Sequence, residues 1–277
     1  DADATVDGDY VATVTDVAEL TGDDHRDLVV GFAQDFGGTD QHFDTRIYAG
    51  DGSGFADSPT ITKDRPNNDK DLFTDKLNTG DLNGDGRQDI VVYFANLSGS
   101  APNQVQLLYQ QADGSYEDRT VAALGGYELE SPTGYPGGAS VEIVDINGDG
   151  RNDLHWTFDL LPSAAALEET VFINRGEGEF TRLSDLAPGA IADEISLNAQ
   201  ITWLRFVDAD GDGKRDLLLH LSEKPGEDLL STFGLLRRKV PRTATGEGDD
   251  TITGSIFPDR IEAGPGDDEI HGSLGGD

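Results

Sequence analysis

The sequence predicts an all-β fold of four similar four-stranded units, and three observations carry that prediction. Hydrophobic residues make up only 36% of the chain, which holds 35 Gly and 11 Pro, a composition suited to short elements joined by turns. An aspartate-rich loop recurs at near-constant spacing, opening at Asp81, Asp145 and Asp208. Short apolar runs flank each copy at matching offsets, and some are apolar on both faces, as Trp203, Leu204, Phe206 and Val207 show. A sheet with one wet face would alternate apolar and polar residues, so two-sided apolarity puts each small sheet between neighbours. Four-stranded sheets stacked radially describe a β-propeller.

The loops come first because the rest is spaced around them. Asp81-Leu82-Asn83-Gly84-Asp85-Gly86-Arg87-Gln88-Asp89 places carboxylates or amides at positions 1, 3, 5 and 9. The stretches from Asp145 to Asp153 and from Asp208 to Asp216 repeat it. A hard cation such as calcium takes several oxygen ligands from a tightly curled backbone. Glycine after the third ligand position permits that curl. One such interval before Asp81 stands Glu19, where a weakened copy keeps Asp23 and Asp27 but has Glu at position 1 and Thr21 at position 3. One unit of roughly 63 residues thus occurs four times, and an internal period of this kind sets the architecture.

The flanks supply the strands. An apolar run precedes each loop, over 10–17, 71–77, 140–144 and 201–207, and another follows it, over 28–33, 90–95, 154–158 and 217–221. After a polar connection a third run appears at 45–49, 104–109, 170–174 and 231–236. In the first three units a Gly-containing turn comes next, and Phe55, Tyr116 or Phe180 is expected to open a fourth strand. The fourth unit lacks that strand, and a segment near Thr5 is expected to complete it.

Charge and composition exclude several functions. Asp and Glu number 54 against 20 Lys and Arg, a formal charge of −34, which repels nucleic-acid backbones and anionic lipid alike. No apolar run approaches the roughly 20 residues needed to span a bilayer, so no membrane insertion is expected. Without Cys, no disulfide holds the fold, and the redox compartment is not readable. The start at Asp1-Ala2-Asp3 reads as that of a mature or excised product.

The loop, the strand after it and the Gly-turn-aromatic hairpin resemble FG-GAP repeats, also called VCBS repeats, over roughly residues 10–240. This resemblance implies calcium held between the first two strands of each blade. Its ligands would be Asp81, Asn83, Asp85 and Asp89 with the main-chain carbonyl of Arg87. They would be Asp145, Asn147, Asp149 and Asp153 with the carbonyl of Arg151 in the next loop. In the last they would be Asp208, Asp210, Asp212 and Asp216 with the carbonyl of Lys214. The first unit departs from the family at positions 1 and 3, which leaves Glu19, Asp23 and Asp27 a weak or empty site. Family propellers usually have more than four blades, so these four either close a ring or form an arc of a larger one.

Composition shifts after the basic stretch from Arg237 to Arg242, which reads as a linker between a blade domain, 1–240, and a tail, 241–277. In the tail Ile252, Ile261 and Ile270 mark a period of nine. The stretches 246–252 and 264–270 resemble RTX nonapeptides, which form calcium-bound parallel β-rolls. The resemblance implies that repeats two apart stack on one edge and share an ion, so that Asp250 pairs with Asp268 and Asp259 with Asp277. It also implies a secreted or surface protein exported by bacterial type I secretion. The pattern stops in mid-repeat at Asp277, as in a truncated roll.

Competing motifs fail. An EF-hand needs Glu at position 12 entering a helix, but those positions hold Val92, Trp156 and Leu219 inside β-like runs. The five histidines show no zinc spacing, and no Gly-x-Ser-x-Gly elbow or phosphate loop is present. Trp156 and Trp203 are expected in the core. The longest loop, 125–138, carries Tyr127 and Tyr135, which could stack on a sugar or peptide. The sequence therefore reads as a binding or adhesion module with structural calcium, its partner a glycan or a cell-surface protein. The alternative is the propeller domain of an enzyme, a lyase or hydrolase, that degrades extracellular polysaccharide.

Overall fold

The computed structural model describes residues 11–33, 44–66, 72–96, 104–126, 140–157, 167–188, 200–209, 211, 215–222, 232–236, 242–244, 249, 251–253, 260–262 and 265–271. The first sheet holds β1 (Val11–Ala18), β2 (Asp27–Ala33), β3 (Thr45–Tyr48) and β4 (Ile61–Lys63). The second holds β5 (Leu72–Gly80), β6 (Asp89–Asn96), β7 (Gln104–Gln110) and β8 (Tyr116–Asp118). The third holds β9 (Ser140–Val144), β10 (Asp153–Thr157), β11 (Val171–Asn174) and β12 (Phe180–Arg182), and the fourth β13 (Gln200–Val207), β14 (Asp216–Ser222) and β15 (Thr232–Leu236). In each sheet the strands lie side by side in chain order. The first two sheets are antiparallel throughout. The fold is all-β: the first three sheets have the four strands the repeat predicts, and the fourth has three among the described residues. The segment near Thr5 expected to complete the fourth sheet lies outside the described residues.

The chain divides into two compact units, Asp1–Ile143 with Gly176–Phe180, and Val144–Arg175 with Thr181–Asp277. In the first unit, β6 shows why its sequence is apolar on both faces: every residue from Ile90 to Ala95 is buried. Ile90, Val92 and Phe94 join Leu20, Val29, Ile47, Leu72, Leu77, Leu108 and Tyr116 in a core shared by the first two sheets. The first strands of successive sheets are also stitched together. Thr79 donates to the Asp16 carboxylate through its hydroxyl (2.8 Å) and its main-chain N–H (3.1 Å), and the Asn78 amide donates to the carbonyl of Val141. Register shifts fall between Ala12 and Val14, Thr74 and Lys76, and Ile201 and Trp203. Each extra residue stands six positions before its loop, so the repeat carries its β-bulge with it.

One strand start differs from expectation. Tyr116 and Phe180 open β8 and β12, but Phe55 makes only an isolated bridge to Gly50 and is 46% exposed. The fourth strand resumes at Ile61, paired with Ile47. The register slips by three residues between Phe55 and Ile61: the Gly50–Phe55 bridge would set Ile47 opposite Ser58, but Ile47 faces Ile61, and main-chain bonding to β3 resumes at Thr60, whose N–H reaches the carbonyl of Ile47 at 2.8 Å. Single helical turns, α1 (Thr120–Ala123) and α2 (Leu183–Leu186), follow β8 and β12.

In the second unit Trp156 is fully buried, as expected, and His155 packs edge-on against Phe206 with ring centroids 5.1 Å apart. The side chain of Trp203 lies outside the described residues. The tail changes topology. β16 (Arg242–Ala244) pairs in parallel with β18 (Arg260–Glu262), and β17 (Thr251–Thr253) with β19 (Glu269–His271). Partners such as Ile252 and Ile270 stand two periods apart, so two nonapeptides make one turn. The roll reaches back to Arg242, inside the basic stretch, because Thr243 continues the nine-residue period without its isoleucine.

Candidate metal centres

Each aspartate-rich loop joins the first strand of a sheet to the second, so an antiparallel pair clamps both of its ends. The aspartate at position 9 is the anchor. Asp27, Asp89 and Asp153 are 0% exposed and Asp216 is 3%. One oxygen of each accepts the N–H of position 2: Leu20 to Asp27 (2.6 Å), Leu82 to Asp89 (2.8 Å), Ile146 to Asp153 (2.8 Å) and Ala209 to Asp216 (3.0 Å). In the first three loops the other oxygen accepts an N–H from beyond the third strand or at its end, from Gly50 (2.8 Å), Gln110 (2.9 Å) and Asn174 (2.8 Å). One carboxylate thereby fixes the loop to the first, second and third strands together.

The residue at position 1 curls the loop. Asp81 accepts from Gly84 (2.7 Å) and Gly86 (2.8 Å), and Asp145 from Gly148 (2.7 Å) and Gly150 (2.9 Å). Asp208 accepts from Gly211 at 2.7 Å. Both glycines of the second loop need the left-handed region, at φ +78° for Gly84 and +83° for Gly86. In the first loop Glu19 reaches the N–H of Gly22 and of Asp23, so its longer side chain does the work of Asp. Asp24 takes the position-6 place at φ +67°, a conformation that Asp tolerates better than most residues. The carboxylate oxygens of Glu19, Asp23 and Asp27 lie within 4.8 Å of one another, so the departures in sequence do not disperse the donor set.

Burial has an electrostatic consequence. Removal from water pushes Asp89 up to about 6 from an ordinary 3.8. The N–H groups of Leu82 and Gln110 pull it back, and the carboxylates of Asp85 and Asp81 add to the rise. Asp153 is pushed up to about 7 by burial, opposed by the N–H groups of Asn174 and Ile146 and reinforced by Asp149 and Asp145. A buried carboxylate that resists ionisation, with further oxygen donors converging beside it, fits a hard divalent cation, whose charge compensates for the water that burial removes. The second and third loops supply three carboxylates and one amide each, and the fit is to calcium rather than to a thiophilic metal.

The placement of the remaining predicted residues is uneven. Asp208 and Asp216 are described, while Asp210, Asp212 and Lys214 are not. In the tail the Asp267 N–H donates to the Asp249 carboxylate at 2.9 Å, one roll turn away. Asp268 is described and Asp250 is not. Tyr127 and Tyr135 lie outside the described residues. Sequence reasoning missed Leu20, Leu82 and Ile146, whose side chains at position 2 are buried and seat the loop. It also missed Gln110 and Asn174, each 21 residues beyond its position-9 aspartate. Only that constant offset could have pointed to them.

Residues 81–156 match the model of an FG-GAP-like repeat, a span that takes in the second and third loops. Residues 245–277 match the RTX calcium-binding nonapeptide repeat, in four copies. The chain carries an FG-GAP-like repeat followed by RTX nonapeptides. No curated protein matches it. These repeats point to calcium binding and to an extracellular role, and the RTX repeats are typical of proteins exported by type I secretion. Among the described residues no helix is long and apolar enough to cross a membrane.

Proposed function

We propose that the protein is a calcium-loaded binding or adhesion module acting outside the cell, its ions structural. The observation that supports this most is the position-9 aspartate. Buried in every loop and bonded to main-chain N–H groups, it builds the blade and has no access to a substrate. The donors proposed for each ion are Asp81, Asn83, Asp85 and Asp89; Asp145, Asn147, Asp149 and Asp153; Asp208, Asp210, Asp212 and Asp216. The carbonyls of Arg87, Arg151 and Lys214 complete them. Glu19, Asp23 and Asp27 form a fourth site, and Asp250 with Asp268 serves the roll. The blades span 1–240 and the roll 241–277. The partner is a glycan or a cell-surface protein met by the loops, with Tyr127 and Tyr135 as candidate stacking residues.

Calorimetric titration of the chelated protein should find at least three calcium sites, and saturation should raise the melting temperature strongly through preferential binding to the native state. A melting curve indifferent to chelator would sink this reading. A glycan array tests the partner. Retention of a glycan without turnover supports a binding module, and bond cleavage would replace it with an enzyme.

A further inference from the structure

The residue at position 7 does more than its main chain requires. The FG-GAP resemblance assigns that position only a carbonyl oxygen, which any residue type provides. Yet all four copies carry a basic side chain, His25, Arg87, Arg151 and Lys214, in a chain with only 20 Lys and Arg and 5 His among 277 residues.

The geometry shows where the charge goes. The Arg87 guanidinium donates through Nη2 to Oδ2 of Asp85 at position 5, and the Arg87 main-chain N–H donates to Oδ1 of the same carboxylate at 2.9 Å. Nε of Arg87 meanwhile donates to the carbonyl of Gln110, 3.0 Å away at the end of β7. Arg151 repeats each bond: Nη2 to Asp149 Oδ2 at 2.5 Å, N–H to Oδ1 at 2.9 Å, and Nε to the carbonyl of Asn174 at 3.4 Å. In the first loop Nδ1 of His25 lies 3.6 Å from Oδ1 of Asp23, which also accepts the His25 main-chain N–H at 3.0 Å. Lys214 lies outside the described residues.

We propose that the position-7 side chain is a tethered counter-cation. It neutralises the position-5 carboxylate while the loop is free of calcium, and it opposes the arriving ion. The inference rests on the calcium reading above. An ion bound through Asp85 meets a positive guanidinium already on that carboxylate, and the Nε bond to Gln110 prevents the arm from swinging clear at no cost. The arm therefore keeps the acidic loop folded when calcium is scarce and weakens its affinity when calcium is present. The side chains of Arg87 and Asp85 are 37% and 24% exposed, so solvent and salt screen the effect and it is modest.

The test uses the full chain carrying Arg87→Gln and Arg151→Gln together, which removes the charge and keeps most of the length. Calcium titration by calorimetry should show two sites tightening by roughly two- to fivefold. The calcium-free melting temperature should fall, the calcium-saturated one should stay near wild type, and added salt should narrow the affinity difference. Arg87→Lys with Arg151→Lys should restore the wild-type affinity. Unchanged or weaker affinity, with both melting temperatures falling together, would make the arm a purely structural strut and overturn the inference. A wild-type protein that binds no calcium at these loops overturns the underlying reading instead, and the titration alone distinguishes that case.

Discussion

The main-chain N–H of Gln110 donates to the Asp89 carboxylate at 2.9 Å, across 21 residues of chain, and so ties the end of the third strand to the loop between the first two. With the Leu82 N–H on the other oxygen, Asp89 satisfies two donors that burial denies to water. Asp89→Ala should therefore leave two N–H groups unpaired and cost about 2–5 kcal/mol in denaturant unfolding. Leucine in place of Val121, which is 76% exposed, should change stability by less than about 0.5 kcal/mol. Equal losses would mean that Asp89 is not an anchor.

The buried aspartates also set how the calcium-free protein responds to pH. In the folded chain Asp89 titrates near 6 and Asp153 near 7, both above the ordinary 3.8. The folded state therefore holds their protons more tightly than the unfolded state does. This contribution to stability is fully present below about pH 4 and is lost as pH rises through 6 and then 7. Calcium needs the ionised carboxylates, so its stabilisation should grow over the same window. Melting curves with chelator should fall between pH 4 and 7.5, and Asp89→Asn should flatten the part near 6. A chelated protein whose stability rises with pH over that range would contradict this.

The fold was largely legible because the repeat fixes offsets: β9 matches the expected run residue for residue, and the other strands preceding and following the loops shift by a few residues at their ends. Phe55 misled because an aromatic after a Gly turn signals a hairpin, while the three-residue slip between Phe55 and Ile61 appears only once register is known. The metal loops were legible from side-chain type. Their anchoring was not, because Gln110 and Asn174 offer main-chain N–H groups, which any residue but proline carries. The tail strand at Arg242–Ala244 was hidden for a related reason, since parallel pairing between repeats two apart needs no particular side chain at Thr243.

Glycines of one type should respond in two ways. A Cβ on Gly50 would stand 2.0 Å from the carbonyl oxygen of Arg26, a main-chain atom that cannot rotate away, whereas nothing lies within 4 Å of a Cβ on Gly84. Gly84→Ala should cost only the strain of its φ of +78°, about 1 kcal/mol. Gly50→Ala should cost several times more, because the first loop must shift away from the anchoring bond between Gly50 and Asp27. Thermal unfolding of the two variants decides it, and the reverse order would refute the close approach.

Neighbouring loops should also be coupled through one phenol. The hydroxyl of Tyr116, buried in the core of the first two sheets, is placed to donate to the carbonyl of Gln88 at 3.0 Å in the second loop and to that of Leu20 at 3.2 Å in the first. Burial and the nearby charge of Asp89 push its titration far above the usual tyrosine range, so the hydroxyl keeps its proton at any working pH. Gly114, in the same hairpin, would place a Cβ 3.0 Å from the carbonyl oxygen of Thr21, so this turn sits directly on the first loop. Tyr116→Phe removes the shared donor without changing ring packing, and should cost about 1–2 kcal/mol. A double-mutant cycle pairing Asp23→Asn with Asp85→Asn should show a coupling energy in the wild-type background that shrinks when Tyr116 is Phe. Strict additivity in both backgrounds would mean that the two loops respond independently despite the shared hydroxyl.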